Sequence, residues 1–428
     1  MRCTLCRSGS VAAAVCGVML TLASATLAQG QATVVWVSVD GVRGDSLDRA
    51  ETPTLDNLID RGVHTRGFTP TFPSGTFPVH VSKATGVTPA THGITGNSFY
   101  DARDGQLHRY PHRSALIEAE PIWTTATRQG VRVMVGDWPV GHAHEGEHAA
   151  AHFGERFVAG RSDRQRLERL IDTWDNDDAD APLRLVMGWI GQPDRAGHRH
   201  GPDSDEIVEA MQQTDTLLAW FVERVRELWA RDAGEGDELY VIISTDHGMR
   251  ELETLVHPNR LTGLWPDDEP GVSFVTGANM GHVHLDGVDD AARRARIAAQ
   301  LREAGQEHAF LDVYRRDERP DRWGYAHAHR TGDVVLVLAP GYTFNRLPRT
   351  PTAAAPELGT MRGMHGYDAA EDEQMLGFAV VARWPAGLGG ERVERVDARV
   401  IHAMVARLLG IEPADAAMPA DGVWGVEP

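Results

Sequence analysis

The sequence predicts an α/β fold: a mostly parallel central sheet with helices on both faces. Three observations predict it. Runs such as TVVWVSVD (33–40) and LYVIISTDHG (239–248) are apolar at consecutive positions, the pattern of strands buried on both faces. These runs alternate with segments of helical period, which places a helix between successive parallel strands. Acids stand just past the apolar runs, at Asp40, Asp194 and Asp246. In sheets of this kind ligands bind at the carboxyl ends of the strands.

Taken in order, residues 33–40 form the first buried strand. PTLDNLIDRG (53–62) predicts a helix with Gly62 past its end. In FTPTFPSGTFPVH (68–80) the prolines and glycine mark a turn, and Thr76-Phe77-Pro78 fits a helical first turn, where proline costs no hydrogen bond. IWTTATRQG (122–130) predicts a helix and VRVMVGDW (131–138) a strand. LRLVMGWI (183–190) predicts a strand followed by a loop, GQPDRAGHRHGPD. Residues 205–228 carry Ile207, Met211, Leu217, Leu218, Phe221 and Val225 at amphipathic-helix spacing. DVVLVLAP (333–340) and MLGFAVVA (375–382) predict later strands, and 396–409 a last helix.

The N-terminus predicts a secretory leader over residues 1–28. Arg2 and Arg7 precede a short apolar stretch that ends in small residues at Thr26-Leu27-Ala28. All three cysteines, Cys3, Cys6 and Cys16, lie in it. The remainder, 29–428, is expected to be one catalytic domain without disulfides or thiolate metal sites, in an exported protein, periplasmic or secreted. No other apolar run reaches membrane-spanning length. The net charge of −19 excludes broad binding of nucleic-acid polymers through a basic face.

An acid at one strand end is ordinarily a cap. Three at equivalent places, two with a nearby histidine, suggest metal ligands instead. A catalytic divalent ion wants about three N/O ligands and an open position. Asp194 and His198, four residues apart, offer one set. Asp246 and His247 offer another, where Gly248 marks the turn that lets adjacent residues reach one ion. His365 lies between glycines in GMHGYD. His142, His144, His148 and His152 are read as a solvated loop, not a metal tract.

In order along residues 33–410, VSVDGVR, FPSGTFPVH, THGITGNSFYD, PIWTTATRQG, DWPVG, PDRAGHRHGP, STDHGM and MHGYD resemble the nucleotide pyrophosphatase/phosphodiesterases of the alkaline phosphatase superfamily. The resemblance implies an alkaline-phosphatase-like fold and two zinc ions. One is expected at Asp194, His198 and His365. The other is expected at Asp40, Asp246 and His247, with Thr76 as nucleophile touching it and Asn97 beside it as an oxyanion donor. It further implies that Phe77 and Trp189 sandwich the base of a small nucleotide-type substrate. Gln192 departs from the family's acid, and Gly188 and Gly191 from bulkier residues.

These parts make one chemistry. A threonine hydroxyl is too weak an acid to attack phosphorus unaided, and a divalent cation lowers the pKa of an oxygen bound to it by many units. A helix N-terminus adds amides and a favourable dipole. The expected course is attack by Thr76, a phospho-threonine intermediate, and hydrolysis. The motifs hold no Arg or Lys clamp for the far oxygens of a monoester, which favours diesters. The alternatives are a phosphomonoesterase or phosphonate hydrolase, a phospholipid or choline-type phosphodiesterase, and a metal- or nucleotide-binding pseudoenzyme. Sulfatase chemistry needs a modified Cys or Ser where this chain has Thr76.

Overall fold

The structure, a computed structural model, describes residues 30–420 and 424. The leader reading of residues 1–28 lies outside the described residues. Strand Ala32–Val39 is the middle of the main sheet, parallel to Leu185–Ile190 on one side and to Glu238–Thr245 on the other. Beyond Leu185–Ile190 lie Val133–Gly136 and then His152–Phe153, both parallel. Beyond Glu238–Thr245 lies Gly377–Trp384, antiparallel to it, and then Val63–Thr69. Short strands Glu391–Arg392 and Val396–Asp397 finish that edge. The expected mostly parallel sheet is therefore present, with Gly377–Trp384 reversed within it.

Alternation along the middle strand explains why both faces are buried. Val34 and Trp36 join a core beneath helices Ile122–Arg128 and Val400–Leu408. Val35, Val37 and Val39 join a second core beneath Pro53–Arg61, Asp163–Asp175 and Asp205–Asp232. In the last helix Ile207, Met211, Leu218, Phe221 and Val225 are buried as the spacing predicts, and Leu217 sits at the margin. The C-terminal helix is shorter than expected, because residues 396–397 pair with the sheet edge instead.

Two expectations change. The stretch after Leu185–Ile190 is not a plain loop: Asp194–His200 is a helix. Residues four apart on a helix share a face, so this turn is what aligns Asp194 with His198. The run at 333–340 forms Val334–Leu338, but in a separate antiparallel sheet with Ser273–Gly277, Met280–His284 and Leu311–Arg315. Helix Ala291–Glu307 covers that sheet through Ile297, Leu301 and Ala304. Its strands Ser273–Gly277 and Met280–His284 gave no clear signal because they are short and joined by an Ala278-Asn279 turn, without the Asn-Gly usual in two-residue hairpins.

Two buried histidines are expected to make the fold acid-labile. His92 Nδ1 accepts the Ile94 N–H at 3.1 Å, so its Nε2–H donates to Ser82 Oγ at 2.8 Å. His282 Nδ1 accepts the Gly332 N–H at 3.2 Å, with Nε2 3.1 Å from the Tyr325 hydroxyl. A second proton on either ring would break the accepted bond. Burial, aided by His327 beside the first and His284 beside the second, pushes each pKa down to about 3. An unfolded histidine binds its proton below about 6.5. The unfolded chain therefore holds more protons between about 6.5 and 3, and stability rises with pH across that window. The contribution is complete above about pH 6.5 and is lost toward pH 3, at up to about 1.4 kcal/mol per pH unit for each ring. Melting temperature followed from pH 7 to pH 4 is expected to fall steadily. A flat profile would contradict the neutral assignment.

Candidate active site

Strand register brings the acids together. Val39 pairs with Ile190 and with Thr245, so all three parallel strands end at one level. The next residues, Asp40, Gly191 and Asp246, leave the sheet side by side. Asp194 N–H donates to the Asp40 carbonyl at 3.1 Å, and Gly41 N–H to Asp246 Oδ1 at 3.0 Å, which ties the three turns to one another. A side chain at Gly41, whose φ is +69°, would run into Asp194.

Thr76 is the first residue of helix Thr76–Thr85, behind Gly75 as cap. It is buried, with Oγ1 3.4 Å from His247 Nε2. Asn97 lies beside this turn. Its Oδ1 accepts the Phe77 N–H at 2.9 Å, which fixes the amide and leaves Nδ2 as a donor. His80, four residues after Thr76, holds the Thr76 carbonyl through Nδ1 at 2.7 Å. The sequence reading left His80 without a role, although its spacing from Thr76 was visible.

Backbone carbonyls set the three candidate imidazole ligands. His198 Nδ1 is 2.8 Å from Gly363 O, His247 Nδ1 2.8 Å from Gly248 O, and His365 Nδ1 2.9 Å from Ser74 O. A carbonyl only accepts, so each Nδ1 carries the hydrogen and each Nε2 presents a lone pair. His198 Nε2 lies 3.4 Å and His365 Nε2 3.9 Å from Asp194 Oδ1. His247 Nε2 lies 3.6 Å from Asp40 Oδ1 and 3.1 Å from Asp246 Oδ2. Asp40 Oδ1, Asp194 Oδ1 and Asp246 Oδ2 are buried without a hydrogen-bond partner.

Ligand atoms of Asp194, His198 and His365 all lie within 4.8 Å of one another, the first expected triple. So do those of Asp40, Asp194 and His247. Asp194 thus belongs to both clusters, and Asp246 joins the second through His247. Burial, then the facing charges of Asp246 and Asp194, push the Asp40 carboxyl well above the usual carboxylate range. Burial also opposes the Asp246 charge, but His247 and His80 outweigh it and hold that carboxyl low. Burial, His247 and His198 keep His365 well below the ordinary imidazole range, hence neutral. Three converging carboxylates, three oriented lone pairs and unpartnered oxygens fit divalent cations, and the N/O donor set suits zinc.

Phe77 and Trp189 are linked through two further rings: His112 is 5.1 Å from Phe77 and stacks at 4.2 Å on Phe157, which is 5.9 Å from Trp189. Trp189 donates Nε1–H to Asp40 Oδ2 at 2.9 Å and folds over Gly191, where a side chain would strike its ring. Gly188 is likewise small because Leu170 fills its place. Gly191 therefore shapes the tryptophan's position, and Gly188 the packing of Leu170. His142 and His144 are buried, so the loop that carries them is not fully solvated: His142 faces Asp137 at 3.2 Å, and His144 lies between Trp123 and Phe153.

A cavity of ≈550 Å³ opens onto the centre, bounded by Gly75, Asn97, His198 and His365. Its far wall comes from the second sheet and residues 343–346, with Met361. Phe274 and Val275 belong to that wall. Arg109 and Arg346 line this cavity, and no carboxylate does.

Comparison with known proteins agrees with this geometry. The chain is 26% identical over 410 residues to ectonucleotide pyrophosphatase/phosphodiesterase family member 7 of Rattus norvegicus, covering 93% of this chain and 87% of that one. It is 27% identical over 391 residues to a bis(5'-adenosyl)-triphosphatase of Xenopus laevis, covering 88% and 78%. The fold matches murine ectonucleotide pyrophosphatase / phosphodiesterase 5, solved as an inactive threonine-to-alanine variant in complex with AMP. The TM-score is 0.76 at 22% identity, over 92% of this chain and 97% of that one. The sequence model of type I phosphodiesterase / nucleotide pyrophosphatase matches residues 34–368, a span holding both carboxylate–histidine clusters, Thr76 and Asn97. The chain therefore belongs to the type I phosphodiesterase / nucleotide pyrophosphatase family, and it is a hydrolase of phosphodiester and pyrophosphate bonds.

Proposed function

We propose that residues 29–428 act as one exported two-zinc phosphodiesterase, cleaving nucleotide-type diesters through a covalent phospho-threonine at Thr76. The observation that carries this reading is the gathering of Thr76 Oγ1, three unpartnered carboxylate oxygens and three Nε2 atoms into two adjoining clusters that share Asp194. One ion would be held by Asp194, His198 and His365, the other by Asp40, Asp246 and His247, with Thr76 at the second. When bound, the ions lower the pKa of the Thr76 hydroxyl and offset charge on the phosphoryl oxygens.

The residues of the chain do the rest. Thr76 Oγ1 forms a bond to phosphorus as the bond to the leaving oxygen breaks on the opposite side. Because Thr76 stands at His247, that opposite side faces His198 and His365, where the cavity opens. Asn97 Nδ2 donates to a phosphoryl oxygen, along with the first-turn amide of Thr76. Water then cleaves the phospho-threonine. The inactive threonine-to-alanine variant and the AMP named for the murine structure are in keeping with this assignment.

The cavity separates the alternatives. A choline-type leaving group is cationic and is favoured by acids or by aromatic rings free of competing cations; among the described residues this lining has Tyr110, Phe274 and Phe344 but also two arginines and no carboxylate, which favours an anion. Neither guanidinium forms a hydrogen bond or ion pair among the described residues, so both are available to a phosphate-bearing leaving group. Among the described residues no helix is long and apolar enough to cross a membrane.

The deciding experiment is kcat/KM on a nitrophenyl nucleotide diester and on nitrophenyl phosphate, with zinc and after chelation. The diester is expected to be preferred at least about 10²-fold, or roughly 2.7 kcal/mol of transition-state discrimination, and chelation to abolish both activities. A preference for the monoester would assign the arginines to the reacting phosphate and the protein to the phosphatase branch.

A further inference from the structure

Lys83 is fully buried, two turns after Thr76 on the same helix. Burying an ammonium costs several kcal/mol unless its donors are satisfied, and no carboxylate lies within ion-pair distance of it among the described residues. Its three donors meet three acceptors instead: Ser38 Oγ at 2.6 Å, the Thr245 carbonyl at 3.0 Å and Ser244 Oγ at 3.4 Å. The rings of Trp138 and Trp36 flank it at 5.3 and 5.9 Å. Ser38 and Ser244 are register partners on the two strands that end in Asp40 and Asp246. Lys83 therefore joins the nucleophile's helix to both metal-bearing strands one or two residues before their carboxylates.

From Lys83 a chain of hydrogen bonds runs back to Thr76. The Thr76 carbonyl can only accept, so His80 Nδ1, at 2.7 Å, carries the hydrogen and His80 Nε2 must accept. Ser38 Oγ, 2.8 Å from that Nε2, is its donor. Lys83 donates to a Ser38 lone pair, which turns the Ser38 hydrogen away from Lys83 and toward His80. The order is thus Lys83 to Ser38 to His80, with His80 donating to the Thr76 carbonyl. The opposite histidine tautomer would set a lone pair against the Thr76 carbonyl and against Asp246 Oδ2, 3.5 Å away. The sequence reading assigned neither Lys83 nor His80 a function.

We propose that Lys83 is a positioning residue for the nucleophile: through Ser38 it fixes the His80 tautomer, and through His80 it holds the first turn of Thr76 in register with Asp40 and Asp246. The proposal rests on the reading of Thr76 as nucleophile, and its effect belongs in kcat, because the residue touches neither the cavity nor the candidate ligands. Burial draws the Lys83 pKa down to about 7, against the pull of Asp246 and Asp40, yet a neutral amine still donates to Ser38.

The test uses the zinc-loaded protein carrying Lys83→Met, Ser38→Ala or both, assayed on a nitrophenyl nucleotide diester with zinc counted per chain. The ¹⁵N shifts of His80 are read in parallel. Each single variant is expected to lose about tenfold or more in kcat, with KM within about threefold and zinc content unchanged. The double variant is expected to lose no more than the worse single one, and the His80 ring to leave its single tautomer. Unchanged kcat, losses that multiply in the double variant, or a loss explained by missing zinc would each overturn the proposal. If Lys83→Met does not fold, Ser38→Ala decides it, since that change leaves Lys83 two other acceptors. The ¹⁵N readout is independent of catalysis, so a failure of the Thr76 assignment would appear as an intact relay in an enzyme whose kcat ignores it.

Discussion

Thr76→Ala is expected to reduce kcat on a nucleotide diester by at least about 10³-fold, roughly 4 kcal/mol of barrier, with zinc content unchanged. The change removes the hydroxyl and the γ-methyl at a buried position, and of the two only the hydroxyl, 3.4 Å from His247 Nε2, can attack phosphorus. The helix should survive, because Gly75 supplies the cap and the Thr76 carbonyl keeps its His80 partner. Alanine is also the better helix former. The binding of AMP, measured by calorimetry, should therefore persist in the variant. Thr76→Ser keeps a hydroxyl at the same place and should retain most of the lost activity. A Thr76→Ala protein with near-normal turnover would remove the covalent route, leaving direct attack by water on the same centre. Rapid quenching of the wild-type reaction checks the same point, since a nucleotide diester labelled at phosphorus should leave its retained nucleotidyl group trapped on residue 76 and nowhere else.

The contrast between what the sequence disclosed and what it withheld has a physical basis. Buried parallel strands announce themselves locally, because both faces of each strand are apolar, so Ala32–Val39, Leu185–Ile190 and Glu238–Thr245 were legible within a residue or two. The acids after them were legible for the same reason: the end of a strand is a local event. Whether Asp194 sides with one cluster or both was not legible, since that depends on how three turns from distant parts of the chain meet. Trp189 shows the same limit. Its ring direction is decided by the empty space at Gly191 and by the Asp40 carboxylate, a contact spanning about 150 positions. The row of rings that links Phe77 to Trp189 draws on residues 77, 112, 157 and 189, and only two of them stood in motifs that drew attention. Lys83 was hidden in another way: a lysine in a helix reads as surface, and only the packed structure reveals that it is enclosed by Ser38, Ser244 and Thr245.

Asp194→Ala and His365→Ala should differ in how many ions they cost. His365 stands in one cluster only, and its loss leaves Asp40, Asp246 and His247 intact, so about one zinc per chain should remain. Asp194 Oδ1 is shared. It is 3.4 Å from His198 Nε2 and 3.9 Å from His365 Nε2, and the same side chain lies within 4.8 Å of the Asp40 and His247 ligand atoms. Its removal takes an anion from both sites at once, so zinc should fall below one per chain after dialysis against a weak chelator. Both variants should lose at least about 10³-fold in kcat/KM, or roughly 4 kcal/mol, because the leaving oxygen departs toward this cluster. Their stabilities should part in the apo state. Without ions, Asp40 is pressed upward first by burial and then by the facing charges of Asp246 and Asp194. Removing Asp194 relieves one of those charges, so the metal-free Asp194→Ala protein should melt no lower than the metal-free wild type. Zinc, which stabilises whatever it binds in proportion to its free concentration over Kd, should then raise the wild-type melting temperature by several degrees and the Asp194→Ala value by much less. Equal zinc counts in the two variants would confine Asp194 to a single site. A metal-free Asp194→Ala protein markedly less stable than the metal-free wild type would mean that the carboxylate holds the turn together even without ions, and that the crowding of charge at Asp40 is weaker than its surroundings imply.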